Sequence, residues 1–166
     1  YPNPLSLACS EHFIATALLG VPFYLLSGGD IVFVNNALII LSFVLTAWGM
    51  HLLVRRLTGD HAAAVLAAII FTFPPVKIGQ VEHLHMLTTY WIPFVFLFLH
   101  RFLETRRLRD GLLFTLFFIL NALTTIFYMI LVTFGIFVFA VVMLPRIVKG
   151  WRALVIPGAV SVMFVV

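Results

Sequence analysis

The run GLLFTLFFILNALTTIFYMILVTFGIFVFAVVML fills positions 111–144, and its polar interruption falls at 121–125. As one straight helix it would be about 50 Å long, well beyond a hydrocarbon thickness of ~30 Å. Charge decides how it is folded. Arg101, Arg106, Arg107 and Arg109 precede it, and Arg146, Lys149 and Arg152 follow it. If both clusters are cytoplasmic, as the positive-inside rule prefers, the chain makes an even number of crossings between them. The run is therefore expected to be a helical hairpin, with a short arm at 111–121, a turn at 121–125 and a longer arm at 126–144. An arm that short leaves the turn below the outer surface, where irregular backbone is tolerated only against protein or a wet cavity.

The rest of the composition agrees with a membrane protein. The chain is 63% hydrophobic and 10% charged, with mean hydropathy +1.18, whereas a soluble domain is usually about 25% charged. The single cysteine, Cys9, excludes an internal disulfide, a zinc ribbon and a CxxC redox motif. The formal charge of +4 sits in short clusters beside apolar runs. That is an orientation signal, and no nucleic-acid partner is expected. The chain opens at Tyr1 and stops at Val166 inside an apolar run, so a piece of a longer polytopic chain is expected. The apolar run at 13–26 follows Glu11 and His12, lacks a basic flank and does not read as a signal peptide.

Working outward gives an all-α, polytopic transmembrane helix bundle in one membrane domain, 1–166. Residues 1–30 form an extracytoplasmic loop carrying an interfacial helix, too short at 13–26 and interrupted by Pro22 for a span of about 20 residues. Residues 31–54 are long enough to cross, at about 36 Å, and Arg55 and Arg56 are expected to stop that helix. Thr58 or Asp60 then caps the next one. Further membrane helices are expected at 61–74, 83–102, 111–121 and 126–144, and a further one starts at 153–166. The helix at 61–74 is short, so it is tilted, shielded by neighbours or extended backwards past Gly59. With every other basic cluster inside, Lys77 is the lone outer cation. Glu11, His12, Asp30, Lys77, Gln80, Glu82, His83, His85 and the turn at 121–125 then share the extracytoplasmic side.

Each polar group has a functional and a bland reading. Glu82, His83 and His85 offer nitrogen and oxygen donors suited to a divalent metal such as zinc, or they are interfacial groups bonded to water and backbone. Lys77 either meets an anionic head group or snorkels with its stem in the interface. Glu11, ahead of His12, is either a general base or a solvated helix cap. Asn35 and Asn36 are read as structural, and His51, His61 and His100 as interfacial on the cytoplasmic side. Tyr90, Trp91 and Trp151 are aromatic-belt candidates.

The segments LLVRRLTG (52–59), AAAVLAAIIFTFP (62–74), WIPFVFLFLHRFLE (91–104) and 111–127 together resemble the GT-C superfamily of polytopic glycosyltransferases. The likeness is to the bacterial branch similar to protein mannosyltransferases and the aminoarabinose transferase of lipid A. It implies transfer of a sugar, with inversion, from a polyprenyl-phosphate donor to an acceptor at the extracytoplasmic face of the cytoplasmic membrane. It also implies an acidic residue in the first outer loop, which falls on Glu11 where the family usually has aspartate. The substrate-binding set expected around it is His12, Lys77, Gln80, Glu82, His83, His85 and Asn121, with a lipid-linked sugar and membrane lipids as partners. Metal dependence and oligomeric state carry no sequence signal. The competing classes are a transporter or lipid flippase, with the broken hairpin lining a path, and a scaffold whose outer loops bind a partner. A transporter should hold ionisable groups near the bilayer midplane, and the spans carry none well inside, which favours surface chemistry.

Overall fold

A computed structural model describes residues 13–81 and 83–142. Among the described residues the chain is all-helical, in the order α1 (Ile14–Leu26), α2 (Ile31–Thr58), α3 (His61–Thr72), α4 (Pro75–Ile78), α5 (Leu84–Leu87), α6 (Trp91–Thr105), α7 (Leu108–Ala122) and α8 (Ile126–Val142). Two stretches, Ile31–Thr58 and Leu84–Thr105, are long and apolar enough to cross a membrane. The further helix expected to start at 153–166, and the part of the expected loop before Phe13, lie outside the described residues.

Helix ends follow from local chemistry. Asp30 accepts from the backbone N–H groups of Val32 (2.9 Å) and Phe33 (3.1 Å), starting α2. Arg55 and Arg56 do not stop that helix. Arginine is a good helix former, so α2 runs on to Thr58 and ends where Gly59 takes φ 74°, a left-handed cap. Asp60 caps α3 through Ala62 N–H at 2.9 Å, while Thr58 Oγ1 bonds back to Val54 O at 2.9 Å. Pro74 and Pro75 then force α3 to finish at Thr72.

The helix expected at 83–102 is two pieces. Thr88 to Tyr90 breaks α5 from α6, because Pro93 in the first turn of α6 has no N–H for Thr89 O and its ring crowds that carbonyl. The turn between α7 and α8 lies at 123–125. Leu123 O accepts from Ala15 N–H at 3.2 Å, and Thr124 Oγ1 accepts from Trp91 Nε1 at 3.0 Å. The irregular backbone is thus sealed by α1 and α6.

Side-chain contacts fix the heights of these elements along α2, which is about 42 Å long. Gly20 of α1 lies against Val34 and Leu38, so α1 covers the first half of α2. Phe73 stacks on Phe43 with ring centroids 5.4 Å apart, Phe94 meets Gly49, and Arg56 pairs with Glu104 at 2.6 Å. Helices α3 and α6 therefore run beside the second half only. Helix α6 packs on α7, and α7 on α8, around Val95, Leu99, Phe114, Phe118 and Val132. The N-terminal ends of α1 and α6, the C-terminal end of α7 and the segment at 73–90 consequently meet near the middle of α2. That seam carries buried hydroxyls rather than charge pairs: Thr16, Thr46, Thr72, Thr88, Thr124 and Thr125 are all buried, and Thr16 Oγ1 lies 3.1 Å from Tyr90 OH.

Candidate functional site

Lys77 is the chemical centre of the seam. Pro74 and Pro75 turn the chain into one short helical turn, and that turn aims the lysine back along α2 rather than out to the surface. Its side chain is only 6% exposed. The ammonium donates to Thr46 Oγ1 at 3.1 Å and Thr89 Oγ1 at 3.0 Å, and it stands 5.2 Å from the centre of the Phe43 ring, within cation–π range. Thr46 is prepared for this role. Its own hydroxyl proton is directed to Ser42 O at 2.6 Å, leaving its lone pairs to accept. Thr89 sits just ahead of α6, where Ile92 N–H bonds to Thr89 O.

Two of the three ammonium donors are used by these threonines, and among the described residues no carboxylate pairs with Lys77. Isolated burial of this kind disfavours the charged form. Lys77, which lies between the two spanning stretches, is accordingly lowered to about 8 by desolvation.

The lysine lines a cavity of about 530 Å³ whose walls are mostly apolar, including Met50, Ala67, Ile70, Phe71 and Met86. Its polar lining is Lys77, Gln80, Thr89 and Tyr128. Tyr128, in the first turn of α8, donates its hydroxyl to Met86 O at 3.0 Å and so ties α8 to α5 across one side. A mostly apolar cavity whose one charged lining residue is a cation matches an amphiphile with an apolar chain and a single anionic group.

The residues singled out from sequence divide into three groups. Lys77 and Gln80 come together in the cavity. His83 and His85 stand side by side, ring centroids 5.6 Å apart, but neither lines it; His83 is exposed and His85 packs edge-on to Phe13. Asn121 is fully buried, with neither amide atom hydrogen-bonded among the described residues, because the α7–α8 turn is closed over by α1 and α6. It does not reach the cavity. Glu11, His12 and Glu82 lie outside the described residues. Among the described residues no three His, Cys, Asp or Glu side chains converge as metal ligands. The position of Lys77 bears on two of the sequence readings. The lysine does not snorkel, and it places an ionisable group about halfway along a candidate span, where the apolar pattern of the spans shows none.

The residues that sequence reasoning missed are Thr46, Thr89, Phe43 and Tyr128. Ser42 and Thr46, spaced i and i+4 in an apolar run, were the readable signal for a polar seam, and both are buried. Protein-family models, curated proteins and solved structures offer no match to this chain.

Proposed function

We propose that the protein is a GT-C-type polytopic membrane glycosyltransferase, in the bacterial cytoplasmic membrane, that takes its sugar from a polyprenyl-phosphate donor. The observation that carries this reading is Lys77, a lining residue of an apolar cavity whose ammonium is desolvated and held by two threonine hydroxyls. The donor's isoprenoid chain suits the walls, and its phosphate suits the cation. In the reaction the acceptor hydroxyl attacks the anomeric carbon and gives its proton to a carboxylate, for which Glu11 is the candidate. The bond from that carbon to the phosphate oxygen breaks as the new one forms, and the lipid phosphate leaves with the electron pair, steadied by Lys77. No covalent enzyme intermediate is needed.

The test is incubation of the full-length protein with a radiolabelled polyprenyl-phosphate sugar. Transfer to an acceptor in the wild type, lost in Glu11→Gln with donor binding retained, supports the reading. Donor binding with movement across the bilayer and no transfer supports the alternative, a lipid transporter or flippase. One observation favours that alternative: Lys77 lies beside Thr46 near the midpoint of α2, a depth more usual for a translocation path than for surface chemistry.

Either lipid-phosphate reading predicts the pH dependence of binding. The anion selects the ammonium form, so affinity is flat below about pH 8, where Lys77 is protonated in the free protein. Above that pH the neutral amine predominates, and Kd should rise by about tenfold per pH unit. Titration of a sugar phosphodiester, whose single charge is constant over this range, checks the slope.

A further inference from the structure

A second groove lies on the opposite face of α3, and its chemistry differs from that of the Lys77 cavity. It occupies about 310 Å³ between α2 and α3 and is lined by Ala47, Trp48, His51, Val65, Ala68 and Phe73. Everything along it is apolar until His51, at the end nearest the arginines. There His51 Nε2 lies 3.1 Å from His61 Nδ1, with the rings perpendicular at 87° and their centroids 4.9 Å apart.

A hydrogen bond between two imidazoles constrains the atoms that face away from it. If His51 Nε2 donates, His61 Nδ1 accepts, and neutral His61 then carries its proton on the outward Nε2. If His61 Nδ1 donates, neutral His51 carries its proton on the outward Nδ1. In both tautomers the pair presents one outward N–H, and a further proton would make it two. His61 is exposed and His51 half-buried, so the donor is most accessible when His61 Nε2 carries it. Arg55 follows Ala47 and His51 at four-residue spacing on the same face of α2. Among the described residues Arg55 has no carboxylate partner, in contrast to Arg56 with Glu104 and Arg101 with Asp110. Asp60, beside His61 in sequence, caps α3 by accepting from the Ala62 N–H through Oδ1.

The groove also has the right length. Its lining on α3 runs from Val65 to Phe73, a rise of about 12 Å, most of one leaflet of a bilayer whose hydrocarbon core is ~30 Å thick. We propose that the α2–α3 groove holds an acyl chain of an anionic phospholipid, whose phosphate is received by the outward imidazole N–H of the His51–His61 pair and by Arg55. This site is independent of the Lys77 cavity and of the proposed glycosyl transfer.

Native mass spectrometry of the full-length protein, given equal phosphatidylglycerol and phosphatidylcholine of matched chains, tests it. Wild type should retain phosphatidylglycerol over phosphatidylcholine by about fivefold or more, the factor expected for one cation near the head group. An R55Q/H61A variant should bind both equally, and Ala68→Phe, which fills the groove, should lose the retained lipid. No preference in the wild type, or the same preference in an R55Q/H61A variant with a wild-type melting curve, overturns the proposal.

Discussion

Replacing Lys77 with methionine should weaken binding of a polyprenyl phosphate at least ~100-fold while leaving the melting temperature unchanged or higher. The two halves of that expectation have separate causes. Truncating one partner of a buried charge pair typically costs ~2–5 kcal/mol, and ~100-fold lies inside that range. In the free protein, however, the ammonium has given up water for two neutral hydroxyls and the face of Phe43. A buried charge without an opposite charge is a burden on the fold. Methionine keeps the length and apolar stem of lysine, fits a cavity already lined by Met50 and Met86, and removes that burden. Thr46 Oγ1 retains its bond to Ser42 O, so the loss is confined largely to Thr89. A melting curve and a lipid titration on the same preparation decide the matter. Unchanged affinity would show that the ammonium does not meet the ligand, and a large fall in melting temperature would make Lys77 a structural residue.

This trade between stability and binding could not have been read from the sequence. That Lys77 stood alone among apolar segments was plain; where its ammonium went was not. A lysine stem spans several ångströms in any direction, and the direction is set by the Pro74–Pro75 turn and by the height at which α3 stops. The short stretch at 61–74 forms the twelve-residue α3, which buries Ala64, Ala68 and Thr72 and packs on α2. The gap at 88–90 was missed, although Pro93 marks it, because uninterrupted hydropathy hides a break that depends on one missing N–H. The interruption at 121–125 was legible as a turn because asparagine and two threonines crowd together there. Its burial was not, since the groups that cover it come from α1 and α6, far away in sequence. Similarly, His51 and His61 read as two interfacial residues until Gly59 reversed the chain and brought them within 3.1 Å.

Gly49→Val should disable the same site from a distance. A Cβ at Gly49 would sit 2.9 Å from Phe94 Cε2 and 3.2 Å from two other ring carbons, so this glycine is what lets α2 and α6 approach. Phe94 has no room to yield. Its ring is stacked on Phe117 at 4.9 Å and held edge-on by Trp48 at 5.9 Å. The helices must therefore separate. One turn up α2 is Thr46, and just ahead of α6 is Thr89, the two acceptors that hold Lys77 from opposite sides. Once the helices part, both bonds cannot be kept. We expect destabilisation of ~1–3 kcal/mol from overpacking and, with the cradle opened, lipid-phosphate binding weaker by about tenfold, or ~1.4 kcal/mol. Gly135→Val is the matched control. A Cβ there also falls 2.9 Å from a ring atom, Cζ of Phe96, but that is the far end of a half-buried side chain between α6 and α8, away from both threonines. It should lower the melting temperature less and leave the lipid Kd within about twofold, since distant sites act independently. If Gly49→Val melts earlier yet binds like the wild type, the spacing of α2 and α6 does not set the geometry around Lys77.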